Sequence, residues 1–163
     1  MTLRFEPLSP AHFSEFHRLL TEYYRTAEDA DTPEDVIDTF IRRLFDGALC
    51  GELHGCLAYY ETVCAGFALW KNDDGEGDFT EIENYGTILE IGLTPEFQGK
   101  GLGKALVAHV EKELLALKVE GLYVCAYGPA QRFWSACGYR DAQRTAANGL
   151  PVFIKAIEPE SVR

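Results

Sequence analysis

Apolar and polar residues along this chain change period several times, and each change marks an element. Residues 3–8 read as a strand. After Ser9-Pro10, the residues Phe13, Phe16, Leu19, Leu20 and Tyr23 recur at helical spacing and give a helix with an aromatic inner face. Asp31-Thr32-Pro33 opens a second helix, with Val36, Ile37, Phe40, Ile41, Leu44 and Phe45 as its apolar stripe and Asp46-Gly47 as its expected stop. Residues 56–60 and 63–70 are strand-like runs joined at Glu61-Thr62, as in a hairpin.

The charged, Gly-rich run over residues 71–78 reads as a solvated loop between strands. Residues 82–93 carry the central strand, with an interruption near Asn84-Tyr85-Gly86. The long helix that follows buries Leu102, Leu106, Val110, Leu114 and Leu117, while Lys104, Glu111, Lys112 and Lys118 stay wet. A strand over 122–126, a short helix over 129–136 and a last strand over 152–157 complete one α/β domain spanning 1–163. The chain has no internal repeat and no low-complexity segment.

At 163 residues the chain can bury one proper core. Its formal charge of -11 argues against a nucleic-acid surface and leaves room for a cationic partner. The first residues hold no apolar signal core, and runs such as 63–70 are too short to span a bilayer, so the expectation is a cytoplasmic protein without membrane contact. Five cysteines in no C-x-x-C pair read as reduced, partly buried residues. His12, His17, His54 and His109 show no metal spacing, and His109 reads as a surface or packing residue. No metal is expected.

The chemistry concentrates between Leu89 and Ala105, where an apolar strand runs through a Gly/Lys turn into the long helix. Gly99, Gly101 and Gly103 let the backbone approach a ligand, and the first amides of the helix have no intrahelical acceptor, so an anion fits beyond them. Lys100 and Lys104 add positive charge at that end. Spacing excludes two phosphate loops. A Walker loop needs an upstream glycine and Gly-Lys-Ser/Thr, yet Gly103-Lys104 is followed by Ala105; the dinucleotide fingerprint fails because Gly99-x-Gly101 is followed by Gly103 and then Lys104.

The pattern that fits is Gln-x-x-Gly-x-Gly, from Gln98 to Gly103, preceded by Ile91-Gly92-Leu93-Thr94-Pro95. It resembles the acyl-CoA signature of the Gcn5-related N-acetyltransferases (GNAT). The run from Ala130 to Tyr139 resembles that family's Ala-x-x-Phe-Tyr-x-x-x-Gly-Phe segment, so the resemblance covers essentially the whole chain. It implies a mixed, mostly antiparallel central sheet flanked by helices, with splayed central strands forming an acyl-CoA groove. It also implies acetyl-CoA as cosubstrate, a cationic amine as acceptor, and a monomer or homodimer.

On this resemblance the CoA pyrophosphate meets Gln98 and the amides of Gly99, Lys100, Gly101, Leu102, Gly103 and Lys104. The pantetheine arm pairs with the strand edge at Ile91 and Leu93, and Tyr127, Phe133 and Trp134 complete the site. A backbone amide polarises the thioester carbonyl while the amine attacks directly. Glu90 is the first candidate base and Glu83 its rival; strand parity leaves the choice open, and a solvated carboxylate is the plain alternative. Trp134 stands where the family has a Tyr that protonates the leaving thiolate, and an indole N–H is no acid at neutral pH. Tyr127 is the candidate donor, with a packing tyrosine or protonation by solvent as alternatives.

In the resembling family the acceptor lies between the first two helices and the loops opposite the CoA groove. Here that region carries Glu22, Glu28, Asp29, Asp31, Glu34 and Asp35, joined by Asp73, Asp74, Glu76 and Asp78, which either attract an amine or form a solvated acidic surface. The expected activity is acetyl-CoA-dependent N-acetylation of a small amine, or of a lysine or N-terminal amine of a peptide. A catalytically weak CoA-binding sensor is the alternative, prompted by Trp134. A third reading is an acidic interaction protein that does not bind CoA.

Overall fold

The sheet grows outward from the hairpin at Glu61-Thr62. In the computed structural model, which describes residues 1–28 and 31–158, strands β2 (His54–Tyr60) and β3 (Val63–Asn72) pair antiparallel across that turn. β1 (Arg4–Pro7) joins β2, and β4 (Gly86–Leu93) joins β3, both antiparallel. β5 (Gly121–Cys125) then pairs parallel to β4, while β6 (Arg140–Thr145) and β7 (Pro151–Ala156) close the far side antiparallel. Among the described residues the order is β1-β2-β3-β4-β5-β7-β6.

Helices α1 (Phe13–Tyr23) and α2 (Glu34–Cys50) cover one face; α3 (Leu102–Ala116) and α4 (Gln131–Ala136) cover the other. β3 is buried on both sides, so its alternate residues feed two cores. Phe67 and Leu69 pack with Phe16, Leu20 and Ile41, whereas Ala68 and Trp70 pack with Leu106, Val110 and Leu114. That is why 63–70 reads as a continuous apolar run rather than an alternating one. Each fully buried Leu, Ile, Val or Phe side chain among them contributes about 1.5–3 kcal/mol relative to exposure.

Several boundaries differ from the sequence expectation for identifiable reasons. α2 passes through Asp46-Gly47, because Gly47 is buried against Leu53, and it ends instead at Gly51, whose φ of 90° forms the left-handed cap. Val36 faces solvent at 52% exposure. Leu117 also lies outward, since α3 has ended at Ala116 and Lys118 turns at φ 59°. β6 has an exposed, polar sequence, as suits an edge strand, and so carries no apolar alternation to find. β4 begins only at Gly86, after the turn at Asn84.

The charged run after β3 is solvated at Asn72 and from Asp74 to Asp78, but two of its charged residues, Lys71 and Asp73, are buried. Lys71 and Asn72 extend β3, and the Lys71 ammonium is buried and donates to the Asp78 carbonyl at 3.3 Å. Asp73 is completely buried and organises the loop around itself. Its carboxylate accepts the Gly75 amide at 2.9 Å, the Glu81 amide at 2.7 Å, the Ile82 amide at 3.0 Å and the Tyr123 hydroxyl at 2.7 Å. Burial acts to raise its pKa, but the donors from Glu81, Tyr123, Gly75 and Ile82 prevail and hold it below the ordinary 3.8.

His109 fills a packing role, stacked on Phe5 with ring centroids 4.0 Å apart. Behind α4, the Tyr139 hydroxyl donates to Glu111 at 2.8 Å, and the Lys155 ammonium reaches Glu111 at 3.1 Å and the Cys137 carbonyl at 2.9 Å. This network ties α3, the end of α4 and β7 together. Among the described residues no helix is long and apolar enough to cross a membrane.

Candidate active site

Two irregularities in the central strands create the site. Opposite β3, Ile88 pairs with Trp70 and Glu90 with Leu69, so Leu89 is an extra residue in β4. Such a bulge turns the residues after it to the other face. Ile88 therefore packs in the α3 core, while Glu90 sits opposite Leu69 on the α1/α2 side. On the other side of β4 the pairing with β5 is limited to Gly86 with Leu122 and Thr87 with Tyr123. Beyond Thr87 the strands part, and a groove of about 750 Å³ opens between them.

One end of the groove is the glycine turn. Gln98 is exposed and its side-chain amide donates to the Leu93 carbonyl at 2.9 Å, which folds the turn back onto the end of β4. Gly99 and Gly101 take φ of 74° and 78°, and Gly101 is the residue from which α3 starts. The first amides of α3 thus have no intrahelical partner and sit at the positive end of the helix. At Gly103 a side chain would bring Cβ within 3.0 Å of the Phe133 ring, so glycine lets α3 and α4 approach.

Most of the expected residues come together here. Glu90, Ile91, Leu93, Gln98, Gly99, Gly101, Gly103, Lys104, Tyr127, Phe133 and Trp134 all line the groove. Lys100 is exposed on the turn, and the Leu102 side chain is buried in the core, so Leu102 has its backbone amide to offer. Glu83 is exposed beside Gly75, outside the groove. Trp134 is buried, with Phe133 and Tyr139 each meeting it edge-on at 5.2 Å.

With this geometry in place, the comparison with known proteins is decisive. The sequence model of the acetyltransferase (GNAT) family matches residues 13–139. The chain belongs to the GNAT acetyltransferase family. Among solved structures it resembles an acetyltransferase from Thermus thermophilus, with TM-score 0.76, 20% identity, and coverage of 96% of this chain and 98% of that one. It also resembles the PaiA N-acetyltransferase from Thermoplasma acidophilum in complex with coenzyme A, with TM-score 0.73, 16% identity, and 96% and 100% coverage. A GNAT family acetyltransferase from Brucella melitensis in complex with acetyl-CoA matches with TM-score 0.65, 13% identity, and 97% and 90% coverage. At these identities the likeness is one of fold. No curated protein matches the sequence.

In this GNAT chain Glu90 has a partner that no local spacing points to. Tyr24, buried in the turn after α1, donates its hydroxyl to Glu90 Oε1 at 3.0 Å. Glu90 also borders a second cavity of about 370 Å³ on the other side of the parted strands; the two cavities share Ile88, Leu89, Glu90 and Cys125. Burial pushes the Cys125 thiol up to about 11, so it is protonated at neutral pH and no nucleophile.

The acidic residues do not act as one cluster. Asp73 is committed to its loop, Asp78 forms an ion pair with Arg43, and Glu34 lies 3.7 Å from Arg25. Asp74 accepts the Glu76 amide at 3.0 Å. Glu22, Asp31, Asp35 and Glu76 are exposed. Glu28 ends the turn after α1, and Asp29 lies outside the described residues. Among the described residues no group of three His, Cys, Asp or Glu side chains could hold a metal ion.

Proposed function

We propose that this GNAT acetyltransferase is an acetyl-CoA-dependent N-acetyltransferase that acts on a primary amine by direct transfer. The observation that carries this reading is the position of Glu90, on a bulged strand where the glycine-turn groove meets the second cavity. The Thermoplasma and Brucella proteins hold coenzyme A and acetyl-CoA on the same fold, which supports placing CoA in the groove here.

In this reading the pyrophosphate lies on the amides from Gly99 to Lys104, with the Lys104 ammonium beside it. The pantetheine arm follows the edge of β4 that β5 leaves open, near Ile91 and Leu93. Because the Leu93 carbonyl already accepts Gln98, Gln98 acts by bracing the turn. Phe133 and Trp134 pack the arm from α4.

The amine enters from the second cavity and gives a proton to Glu90, directly or through water. The nitrogen, now neutral, forms a bond to the thioester carbonyl carbon as the carbon–sulfur bond breaks, and it sheds its second proton to solvent to leave the neutral amide. The electron pair leaves with the CoA sulfur, and the thiolate takes a proton from Tyr127 or solvent. Trp134 supplies packing in place of an acid. A protonated Cys125 offers no route through an acyl-enzyme.

Calorimetric titration with acetyl-CoA, followed by thiol release across a panel of amines, tests the proposal. Binding with amine-dependent release is the expected result. Binding without release for any amine would favour the sensor reading that Trp134 prompts, and absence of binding would overturn the assignment of the groove.

A further inference from the structure

The second cavity says which amine fits, on the premise of the transferase reading above. At about 370 Å³ it lies at the small end of ligand cavities, which span roughly 300–1,000 Å³. Phe79, Ile88, Leu89, Ala147 and Leu150 give its wall an apolar side, beside Thr80, Thr87, Tyr123 and Asn148. The carboxylates lining it are Asp78, Glu81 and Glu90, and the first two stand in ion pairs with arginines. Asp78 pairs with Arg43; Glu81 accepts the Ala147 amide at 2.7 Å and lies 3.5 Å from Arg144. Asp78 and Glu81 are thus held by arginines, and Glu90, which accepts the Tyr24 hydroxyl, is the carboxylate placed where this cavity meets the groove. A second ammonium inside would be buried without a counter-charge.

The wall is also fixed in advance. Asp73 gathers the loop from three amides, the Tyr123 hydroxyl reaches the Phe79 carbonyl at 3.3 Å, and Lys71 holds the Asp78 carbonyl. Phe79 itself sits at φ 62°, a backbone region that aromatic residues rarely occupy, with its ring 6.4 Å from that of Phe40. Strain of this kind persists where the surroundings over-determine it, and here it presents a ring to the cavity.

We propose that the acceptor is a small primary monoamine with an apolar alkyl or aryl body. Its nitrogen meets Glu90 and its body packs on Phe79, Ile88 and Leu150. Polyamines and aminoglycosides are disfavoured because their further charges find no partner in the cavity.

The test compares kcat/KM by thiol release for butylamine and phenylethylamine against spermidine and neomycin, in the wild type and in Phe79→Gly. Glycine suits the positive φ and removes the ring. The monoamines are expected to be preferred on the order of a hundredfold, and Phe79→Gly is expected to cut that preference about tenfold through KM. The acetyl-CoA Kd should stay the same. Preference for spermidine or neomycin, or a preference that Phe79→Gly leaves unmoved, would overturn the inference. Titrating the amines into the CoA complex reads the cavity without turnover. A protein that binds the monoamines more tightly yet releases no thiol fails the transferase reading alone, and one that binds spermidine more tightly fails this inference alone.

Discussion

Tyr24, in the turn that follows α1, donates its hydroxyl hydrogen to Glu90 Oε1 at 3.0 Å, across 66 residues of chain. Because the ring is only 2% exposed, Tyr24→Phe keeps the packing and removes the bond. A hydrogen bond to a charged group is worth about 1.5–3 kcal/mol, so kcat/KM is expected to fall about tenfold or more. Glu90→Gln should cost about 10²–10⁴-fold, the range of general-base catalysis. Neither substitution should change the acetyl-CoA Kd, measured by calorimetry alongside thiol release. A Tyr24→Phe variant with unaltered kcat/KM would remove Glu90 orientation from the account.

Asp73 governs stability rather than attraction of substrate. Asp73→Ala leaves the Tyr123 hydroxyl and the Glu81 and Ile82 amides short of an acceptor, at a cost of about 2–4 kcal/mol. Its folded-state pKa lies below the ordinary 3.8, so the unfolded chain binds the extra proton between the two values. The stabilisation is full above 3.8 and is lost as pH falls through the folded value. Denaturant curves should show the wild type and variant far apart at neutral pH and converging in acid. A gap that is constant with pH would contradict this.

Gly103 separates packing from ligand binding. Alanine is the better helix former by about 1 kcal/mol, but its Cβ would stand 3.0 Å from the Phe133 ring. The ring must give way, and the space beyond it is the groove. Gly103→Ala is expected to keep the melting temperature near that of the wild type and to weaken acetyl-CoA about tenfold, in line with the loss of a well-fitted pocket contact. Unchanged affinity would show that Phe133 is not part of the CoA wall.

The five thiols should react in a definite order. Cys50 is exposed, whereas burial pushes Cys56 up to about 12, both Cys64 and Cys125 to about 11, and the half-buried Cys137 upward as well. Brief alkylation at about pH 8, where only the thiolate reacts, should give one adduct, at Cys50, by peptide mass mapping. Equally rapid labelling of Cys125 would mean that the floor of the groove is more open to water than its burial indicates.

Features set by near neighbours were legible from the chain alone. The run from Gln98 to Lys104 announces its turn because glycine and helix-start chemistry act over a few residues, and Leu102, Leu106, Val110 and Leu114 announce their face by spacing. Asp73 could not be told from Asp74 or Asp78, since its burial depends on Tyr123, fifty residues away. Glu90's face was undecidable by alternation because Leu89 interrupts the count. Tyr24 lies just past the stripe that ends at Tyr23, so helical spacing gave it no role. β6, with its exposed polar residues, carried no pattern that separates an edge strand from a loop.

The parting of β4 from β5 after Thr87 leaves a seam inside the sheet, because the rest of β4, from Ile88 to Leu93, forms no pair with β5. On the proposed placement of the pantetheine arm, the cosubstrate completes the ladder and doubles as a temporary strand. On that proposal the sheet is at its most continuous when loaded, and each product release uncovers the open edge of β4 again. On the same proposal, ligand binding and sheet continuity draw on one strand edge, while Gly86 and Thr87 supply the pairing between β4 and β5.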